Sequence, residues 1–197
     1  MILPQVIRTD AENATDGERL LEGKNVNLRL EEKEDMKLVS EWLNNPDYWG
    51  EYLPLKQQSR TEVEKEYDSQ PQESKWFIVE KKDGSKIGSI GYFMATGNLL
   101  EIGYSLIPNE RGKGYCTEAA KILVDYLFLS KSIVRVQTHT DVRNLASQQV
   151  LEKTGFKKEG VVRKSLFARG EWRDMILYSI LREEWKEPKI LTRTEKK

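Results

Sequence analysis

RGKGYCTEA, residues 111–119, lies between a strand-like segment and a helix-like segment. Residues 100–107 before it are typical of a strand, and residues 117–130 have the apolar periodicity of a helix. The backbone amides of a glycine-spaced loop at a helix start can point at phosphate oxygens, and the helix dipole favours negative charge there. The stretch therefore predicts a binding loop for a cofactor that carries a diphosphate.

Two familiar phosphate-binding loops do not match this stretch. The chain has no G-x-x-x-x-G-K-[ST] run, and Gly112 and Gly114 supply G-x-G without the third glycine of the dinucleotide-binding fingerprint. What remains is an R-x-x-G-x-small pattern, formed by Arg111, Gly114 and Cys116. Taken alone, this pattern leaves open both a phosphate-binding loop and an ordinary glycine turn that enters a helix.

Composition limits the class of protein. A chain of 197 residues suits a single domain with a sizeable core. Lys plus Arg and Asp plus Glu both number 32, so the net charge is zero, and we expect neither a nucleic-acid nor a membrane partner. The single cysteine excludes an intramolecular disulfide and fits a reducing compartment, and no apolar run approaches a membrane span. We therefore expect a cytoplasmic protein.

The pattern along the chain predicts one domain between two polar ends. We expect an extension at residues 1–22, a domain at residues 23–185 and a charged tail at residues 186–197. The predicted strands are 25–30, 75–80, 87–95, 99–107, 133–140, 156–163 and 172–181, and the predicted helices are 33–43, 59–68, 117–130 and 144–153. Breaks typical of hairpins fall at 82–84 and 96–98. The order is β-α-α-β-β-β-α-β-α-β-β.

This order, together with the loop, resembles the GNAT superfamily of acetyltransferases. The second half resembles the branch that acetylates the N-termini of ribosomal proteins (the RimJ/RimL type). The matching segments are EIGY at 101–104, RGKGY at 111–115, TEA at 117–119, N-x-x-S at 144–147, GF at 155–156 and G-x-W-x-D at 170–174. The resemblance implies an α/β (α+β) acyl-CoA N-acyltransferase fold, with a mixed central sheet flanked by helices. It also implies acetyl-CoA as cosubstrate and no metal.

The resemblance further implies which residues hold the cofactor. The loop amides would bind the pyrophosphate, the backbone of β-strand residues just before the loop would bind the pantetheine arm, and an Asn on the next helix would hydrogen-bond that arm. These candidates are Leu106, Ile107, Arg111, Gly112, Lys113, Gly114, Tyr115, Cys116, Thr117 and Asn144. Asn144 can equally be the N-cap of the helix that follows it.

Amide formation requires a neutral amine, a stabilised oxyanion and a proton for the leaving thiolate. The resemblance assigns the base to Glu101, the oxyanion donor to a backbone amide near Leu106, and the thiolate proton to Ser147. Many family members instead supply a tyrosine, at the position where this chain has Leu151. His139, the only histidine, is an alternative base. Cys116 is interpreted as a small loop residue rather than a nucleophile.

We expect direct acetyl transfer to a primary amine, first of all the N-terminal α-amine of a protein or peptide. The alternatives are a small amine (polyamine, aminoglycoside or amino sugar) and a non-catalytic CoA-binding protein. The expected acceptor surface is supplied by Trp42, Trp49, Tyr52 and Leu55 on one side and by a loop at residues 165–172 on the other. An acidic cleft, drawn from Glu31, Glu32, Glu34, Asp35, Asp47 and Glu51, would favour a polyamine or aminoglycoside. A homodimer is a further expectation from the resemblance.

Overall fold

The fold comes from a computed structural model that describes residues 21–95 and 99–186. The predicted break at 96–98, most of the predicted extension and most of the predicted tail lie outside the described residues. The strands are β1 Leu21–Glu22, β2 Val26–Leu30, β3 Lys75–Lys81, β4 Lys86–Ala95, β5 Leu99–Leu106, β6 Arg135–Asp141, β7 Lys157–Ala168 and β8 Glu171–Leu181. The helices are α1 Met36–Leu43, α2 Pro46–Trp49, α3 Arg60–Asp68, α4 Tyr115–Ser130 and α5 Leu145–Thr154, with 3-10 turns at Lys33–Asp35 and Pro108–Glu110.

The described strands form one mixed sheet with helices on both faces. Their order is β1-β2-β3-β4-β5-β6-β8-β7, and every neighbouring pair is antiparallel except β5 with β6. Alternation along β3 shows the two faces: Phe77 and Val79 pack in the cluster that contains α4, and Ile78 packs with α1, α2 and α3. The predicted fold class is confirmed.

The only parallel pair in the described sheet diverges after two residue pairs. Leu100 lies opposite Val136 and Glu101 lies opposite Gln137, and no pairing between β5 and β6 continues beyond them. The Thr138 hydroxyl donates a hydrogen bond to the carbonyl of Ile102 across the widening gap, at 2.8 Å. The divergence exposes the backbone edge of β5 just before the glycine loop.

The last two strands form a longer hairpin than the sequence predicts. The loop expected at residues 165–172 is wrong, because β7 runs on to Ala168 and β8 begins at Glu171. Arg169 and Gly170 connect them with φ values of 53° and 82°. Positive φ at both central residues is the geometry that matches the twist of a two-residue hairpin. At the tip of the hairpin, Arg169 donates hydrogen bonds to carbonyls of residues 46–53, the segment that contains α2.

Helix α4 begins two residues earlier than predicted. Gly114 is its N-cap with φ 85°, and Tyr115 and Cys116 already lie in the helix and pack against the core. Two further elements were not predicted: the two-residue β1 and the four-residue α2, although Asn45 and Pro46 at the start of α2 are a typical N-cap and first helical residue. Elements this short have too few residues to display a periodicity.

A buried ion cluster joins β2 to the turn before α1. Arg29 contacts Asp35 at 2.8 Å and Glu80 at 2.9 Å, and Lys86 reaches Asp35 at 2.7 Å. Burial alone would raise the pKa of Asp35, but hydrogen bonds from Arg29 and Lys86 lower it to about 2. Asp35 is therefore a paired structural carboxylate and contributes nothing to an acidic acceptor cleft.

Candidate active site

A cavity of about 590 Å³ opens between α1–α3, the centre of the sheet and the β7–β8 hairpin. Its wall is largely apolar, with a few titratable groups among aromatic rings. Its lining includes Glu31, Tyr48, Trp49, Tyr52, Leu53, Glu101, Tyr104, His139, Asn144, Ser147 and Leu166. A concave, mostly apolar pocket with a few convergent polar groups is the usual form of a small-molecule site.

Glu101 and His139, the two candidate bases, are hydrogen-bonded to each other. Glu101 Oε1 lies 2.8 Å from His139 Nδ1, and their side chains are 16% and 29% exposed. The pair follows from the sheet, because Glu101 on β5 lies opposite Gln137 on β6, and His139 is the next residue of β6 on the same face. The two candidate bases are therefore one hydrogen-bonded pair on the cavity wall.

Ser147 is hydrogen-bonded to the phenol of Tyr104, a residue to which the sequence assigned no role. Its hydroxyl lies 2.9 Å from the Tyr104 hydroxyl, and either can be the donor. Burial raises the pKa of Tyr104, so its phenol keeps its proton at neutral pH. Asn144 Oδ1 accepts the Ser147 backbone N–H at 3.1 Å, which makes Asn144 the N-cap of α5. The cap fixes the first turn that presents Ser147 to the cavity.

The divergence of β5 and β6 turns part of the β5 backbone towards the gap. The Ile107 N–H donates to the Ile87 carbonyl at 2.9 Å, and the Ile107 carbonyl accepts the Glu110 N–H at 3.1 Å. Antiparallel pairing alternates its hydrogen-bonded residues, so the amides of Tyr104 and Leu106 are directed away from β4. The Leu106 amide thus points towards the gap, as its predicted role in binding the pantetheine arm requires. The N–H and the carbonyl of Ile107, by contrast, already have hydrogen-bond partners.

Two glycines of the loop adopt the left-handed backbone conformation beside open space. Gly112 and Gly114 have φ values of 74° and 85°, and no atom lies within 4 Å of a Cβ built at either position. Glycine is therefore needed for the backbone conformation, and the space beside the loop is open. Together with the directed amide of Leu106, this geometry fits a diphosphate-linked acyl carrier. Thr117 lies in the first turn of α4, and Lys113 is exposed and paired with Glu110 at 3.0 Å.

The side chains of Cys116 and Arg111 both turn towards the protein: the Cys116 thiol is buried, and the Arg111 guanidinium binds backbone carbonyls. Burial raises the pKa of the Cys116 thiol to about 12, which keeps it protonated and supports its interpretation as a small packing residue. The Arg111 side chain turns back from the loop. Its guanidinium donates to the carbonyls of Leu106 at 2.9 Å and of Asp47 and Tyr48 at 2.8 Å each.

Comparison with known proteins assigns the family. The family model of the acetyltransferase (GNAT) domain matches residues 25–157. This chain belongs to the GNAT acetyltransferase family. It is therefore an acetyl-CoA-dependent N-acetyltransferase by family, and the predicted resemblance is confirmed.

Individual relatives differ in what their names say they acetylate. "Probable N-acetyltransferase YjcK" of Bacillus subtilis (strain 168) is 31% identical over 178 residues, which is 82% of this chain and 97% of the relative. Spermidine N(1)-acetyltransferase of Escherichia coli (strain K12) is 27% identical over 164 residues, or 81% of this chain and 88% of the relative. The crystal structure of ribosomal-protein-S5-alanine acetyltransferase from Vibrio fischeri has a TM-score of 0.71 and 25% identity, and the match covers 84% of this chain and 98% of that one.

Glu31 lines the cavity of this GNAT acetyltransferase, a location that the sequence did not establish. Its residue is 8% exposed, and it lines the same cavity as Glu101. Burial, followed by the charge of Asp35, raises the pKa of its carboxyl to about 7, against a smaller opposing effect of Arg29. In the sequence, Glu31 is one of several neighbouring acidic residues, and only the tertiary fold separates it from them.

Only some of the residues predicted for the acceptor surface line the cavity. Trp49 and Tyr52 line the cavity of the acetyltransferase, but Trp42 is buried behind Tyr48, with ring centroids 5.6 Å apart. Leu55 is 57% exposed and is not a lining residue. On the opposite side, the hairpin contributes Leu166. A surface aromatic and a core aromatic are not distinguishable by residue type, which explains the mixed result.

Within residues 21–95 and 99–186, no three His, Cys, Asp or Glu side chains cluster in a way that could hold a metal ion. No helix in the same ranges is long and apolar enough to cross a membrane.

Proposed function

We propose that this acetyltransferase transfers the acetyl group of acetyl-CoA directly to a primary amine in the cavity, first of all the N-terminal α-amine of a protein or peptide. The observation that carries the proposal is the hydrogen-bonded Glu101–His139 pair on the cavity wall, beside the diverging strands. Bound acetyl-CoA supplies the acetyl group as a thioester. The chain supplies proton acceptance, oxyanion stabilisation and proton donation.

The Glu101–His139 pair takes the proton of the acceptor amine. When His139 Nδ1–H donates to Glu101, Nε2 carries the lone pair of the imidazole and can act as the base. When Glu101 acts as the base, His139 orients its carboxylate. The two assignments predict different losses of activity. If Glu101 is the base, Glu101→Gln should lose more activity than His139→Gln. If His139 is the base, His139→Gln should lose more.

Free energies of deprotonation favour an α-amine over a lysine side chain. An α-amine has a pKa of ~7.7–8.0 and a lysine ~10.4, so deprotonation at pH 7 costs ~1–1.4 kcal/mol for the first and ~4.6 kcal/mol for the second. A carboxylate–imidazole pair is a sufficient base for the smaller of these costs. This difference supports the α-amine as the first acceptor class.

We assign the remaining roles to the glycine loop, to the end of β5 and to the first turn of α5. The open backbone of Gly112 and Gly114, with the Thr117 amide, would hold the pyrophosphate, and the amide of Leu106 would stabilise the oxyanion. The hydrogen-bonded hydroxyls of Ser147 and Tyr104 hold a proton for the leaving sulfur. Tyr104 thereby provides a phenol in a chain that has Leu151 at the usual tyrosine position.

A second candidate acceptor is a small polycationic amine, and the cavity charge supports it. Glu31, Glu66 and Glu101 line the cavity, with Lys56 as its one lysine or arginine among the described lining residues. Asp141 also lines it, but its carboxylate is paired with Arg143 and Arg173. An excess of carboxylates in a low-dielectric cavity attracts a second positive charge on the acceptor. A peptide whose one positive charge is its α-amine needs only one carboxylate partner.

Acetyl transfer to a matched set of acceptors tests the proposal. The set contains a lysine-free peptide with a free α-amine, the same peptide with a formylated α-amine, a formylated peptide with one lysine, and spermidine. We expect turnover of the first peptide at a kcat/KM at least about ten-fold above the lysine peptide, and none of its formylated form. Faster turnover of spermidine than of any peptide would overturn the α-amine assignment in favour of the polyamine.

A CoA titration keeps a negative assay informative. Binding of CoA without transfer to any member of the set would make the chain a non-catalytic CoA-binding protein. Absence of CoA binding would remove the acetyltransferase assignment of this particular chain. The expected homodimer and cytoplasmic location stay predictions, to be checked by analytical ultracentrifugation and by fractionation.

A further inference from the structure

Two arginines from distant parts of the chain hold the same short segment. Arg111 of the glycine loop donates to the carbonyls of Asp47 and Tyr48 at 2.8 Å each. Arg169, at the tip of the β7–β8 hairpin, donates to the carbonyl of Gly50 at 2.6 Å and makes longer bonds to those of Leu53 at 3.3 Å and Pro46 at 3.4 Å. Residues 46–53 are therefore fixed from both sides by guanidinium groups.

This segment forms one wall of the cavity. Tyr48, Trp49, Tyr52 and Leu53 all line it. The segment contains only the single turn of α2, and an isolated turn this short has little stability of its own. Its shape therefore depends on external hydrogen bonds, and Arg111 makes two of the shortest.

Arg111 also anchors the segment to the strand that precedes the loop. Its Nε donates to the Leu106 carbonyl at 2.9 Å, and the Ser105 hydroxyl donates to the Tyr48 carbonyl at 2.8 Å. Because guanidinium is a planar fork of five donors, it can serve three carbonyls at once, which a lysine ammonium on a flexible stem cannot reproduce. One side chain thus joins the end of β5, the glycine loop and the cavity wall.

We propose that Arg111 is a positioning residue that couples the CoA-binding loop to the acceptor wall at residues 46–53, rather than a ligand of the CoA diphosphate. Occupation of the loop restrains Arg111, and Arg111 restrains the wall. The acceptor cavity is consequently better ordered when the cofactor is bound. This inference rests on the proposed CoA site, and it assigns a role to Arg111 that the site alone does not require.

Hydrogen exchange with CoA as the probe tests the coupling without an identified acceptor. Amide exchange is measured by mass spectrometry on the full chain, with and without saturating CoA. In the wild-type chain we expect CoA to slow exchange in residues 112–118 and also, by about five-fold or more, in residues 46–53. In Arg111→Gln we expect the first protection to persist and the second to disappear.

Two further variants separate coupling from general stability and from charge. Arg182→Gln is the matched control, because Arg182 binds three carbonyls, those of Phe128, Lys131 and Ile133, at 2.6–2.8 Å and away from the cavity. It should lower the melting temperature and leave the CoA response of residues 46–53 intact. Arg111→Lys keeps the positive charge and loses the fork, so it should also lose the coupling while its affinity for CoA stays within about two-fold of wild type.

The outcomes distinguish this inference from the proposed function. If CoA fails to protect residues 112–118 in the wild-type chain, the proposed CoA site itself is wrong. If it protects 112–118 but not 46–53, the site stands and the coupling is refuted. A CoA affinity that Arg111→Gln abolishes and Arg111→Lys restores would instead make Arg111 a diphosphate ligand. Persistence of the wall response in a folded Arg111→Gln or Arg111→Lys protein would also overturn the inference.

Discussion

Replacing Glu31 by glutamine should stabilise the protein at alkaline pH and leave its stability nearly unchanged in acid. Glu31 is 8% exposed, and burial raises the pKa of its carboxyl from 4.5 to about 7. Between these two values the folded chain holds a proton that the unfolded chain has lost, so stability falls as pH rises through the interval. The pKa difference of about 2.5 units corresponds to a full penalty of about 3 kcal/mol above pH 7.

Urea unfolding at pH 4 and pH 8, followed by tryptophan fluorescence, measures this effect. Since glutamine keeps the size of the side chain and cannot ionise, the Glu31→Gln variant should gain about 3 kcal/mol over wild type at pH 8 and less than ~0.5 kcal/mol at pH 4. Glu34→Gln, at an exposed neighbour, is the control and should change stability by no more than ~0.5 kcal/mol at either pH. An equal gain at both pH values, or a loss at pH 8, would refute the buried-carboxylate reasoning.

Three other experiments test the roles of Ser147, of the glycine loop and of the buried ion cluster. Ser147→Ala should lower kcat by about 10²-fold in the transfer assay, since it removes a positioned proton donor, while titration should give unchanged CoA affinity; wild-type kcat would reassign that role. Gly114→Ala and its control Gly84→Ala both place a side chain at a φ of 82–85° in open space. Each should lower the free energy of unfolding in urea by roughly 1–2 kcal/mol, because a Cβ disfavours this conformation. Only Gly114→Ala should weaken CoA binding. Asp35→Asn weakens the buried ion cluster, in which Arg29 keeps Glu80 as its carboxylate partner, and should destabilise by about 2–3 kcal/mol in urea unfolding at pH 7. Because the pKa of Asp35 is lowered from 3.8 to about 2, this contribution is present above pH 4 and should be lost as pH falls through 2.

Local pattern was sufficient for most of the fold. The glycine loop, the apolar period of α4 and the polar–apolar alternation of residues 25–30 are properties of neighbouring residues, so they could be predicted directly. The β7–β8 turn was missed because Arg169 adopts φ 53°, a conformation more commonly signalled by Asn or Gly. The helix α2 was missed because one turn displays no period.

The site was predicted less completely, because it depends on which elements become neighbours. Glu101 and His139 were both identified, but only the parallel register of β5 and β6 makes them a pair. The loop position of Arg111 suggested a phosphate ligand, and only the location of residues 46–53 reveals the carbonyls that its side chain binds. Glu31 became distinct from its acidic neighbours through burial alone.

The most direct test of the central claim is the rate of acetyl transfer by Glu101→Gln, compared with wild type on the same acceptor at saturating acetyl-CoA. Glutamine keeps the shape of the side chain and one oxygen for His139, but it removes the charge that completes the acid–base pair. The account predicts a fall in kcat of about 10²–10⁴-fold with CoA affinity within two-fold of wild type. A Glu101→Gln enzyme with the wild-type kcat would contradict it.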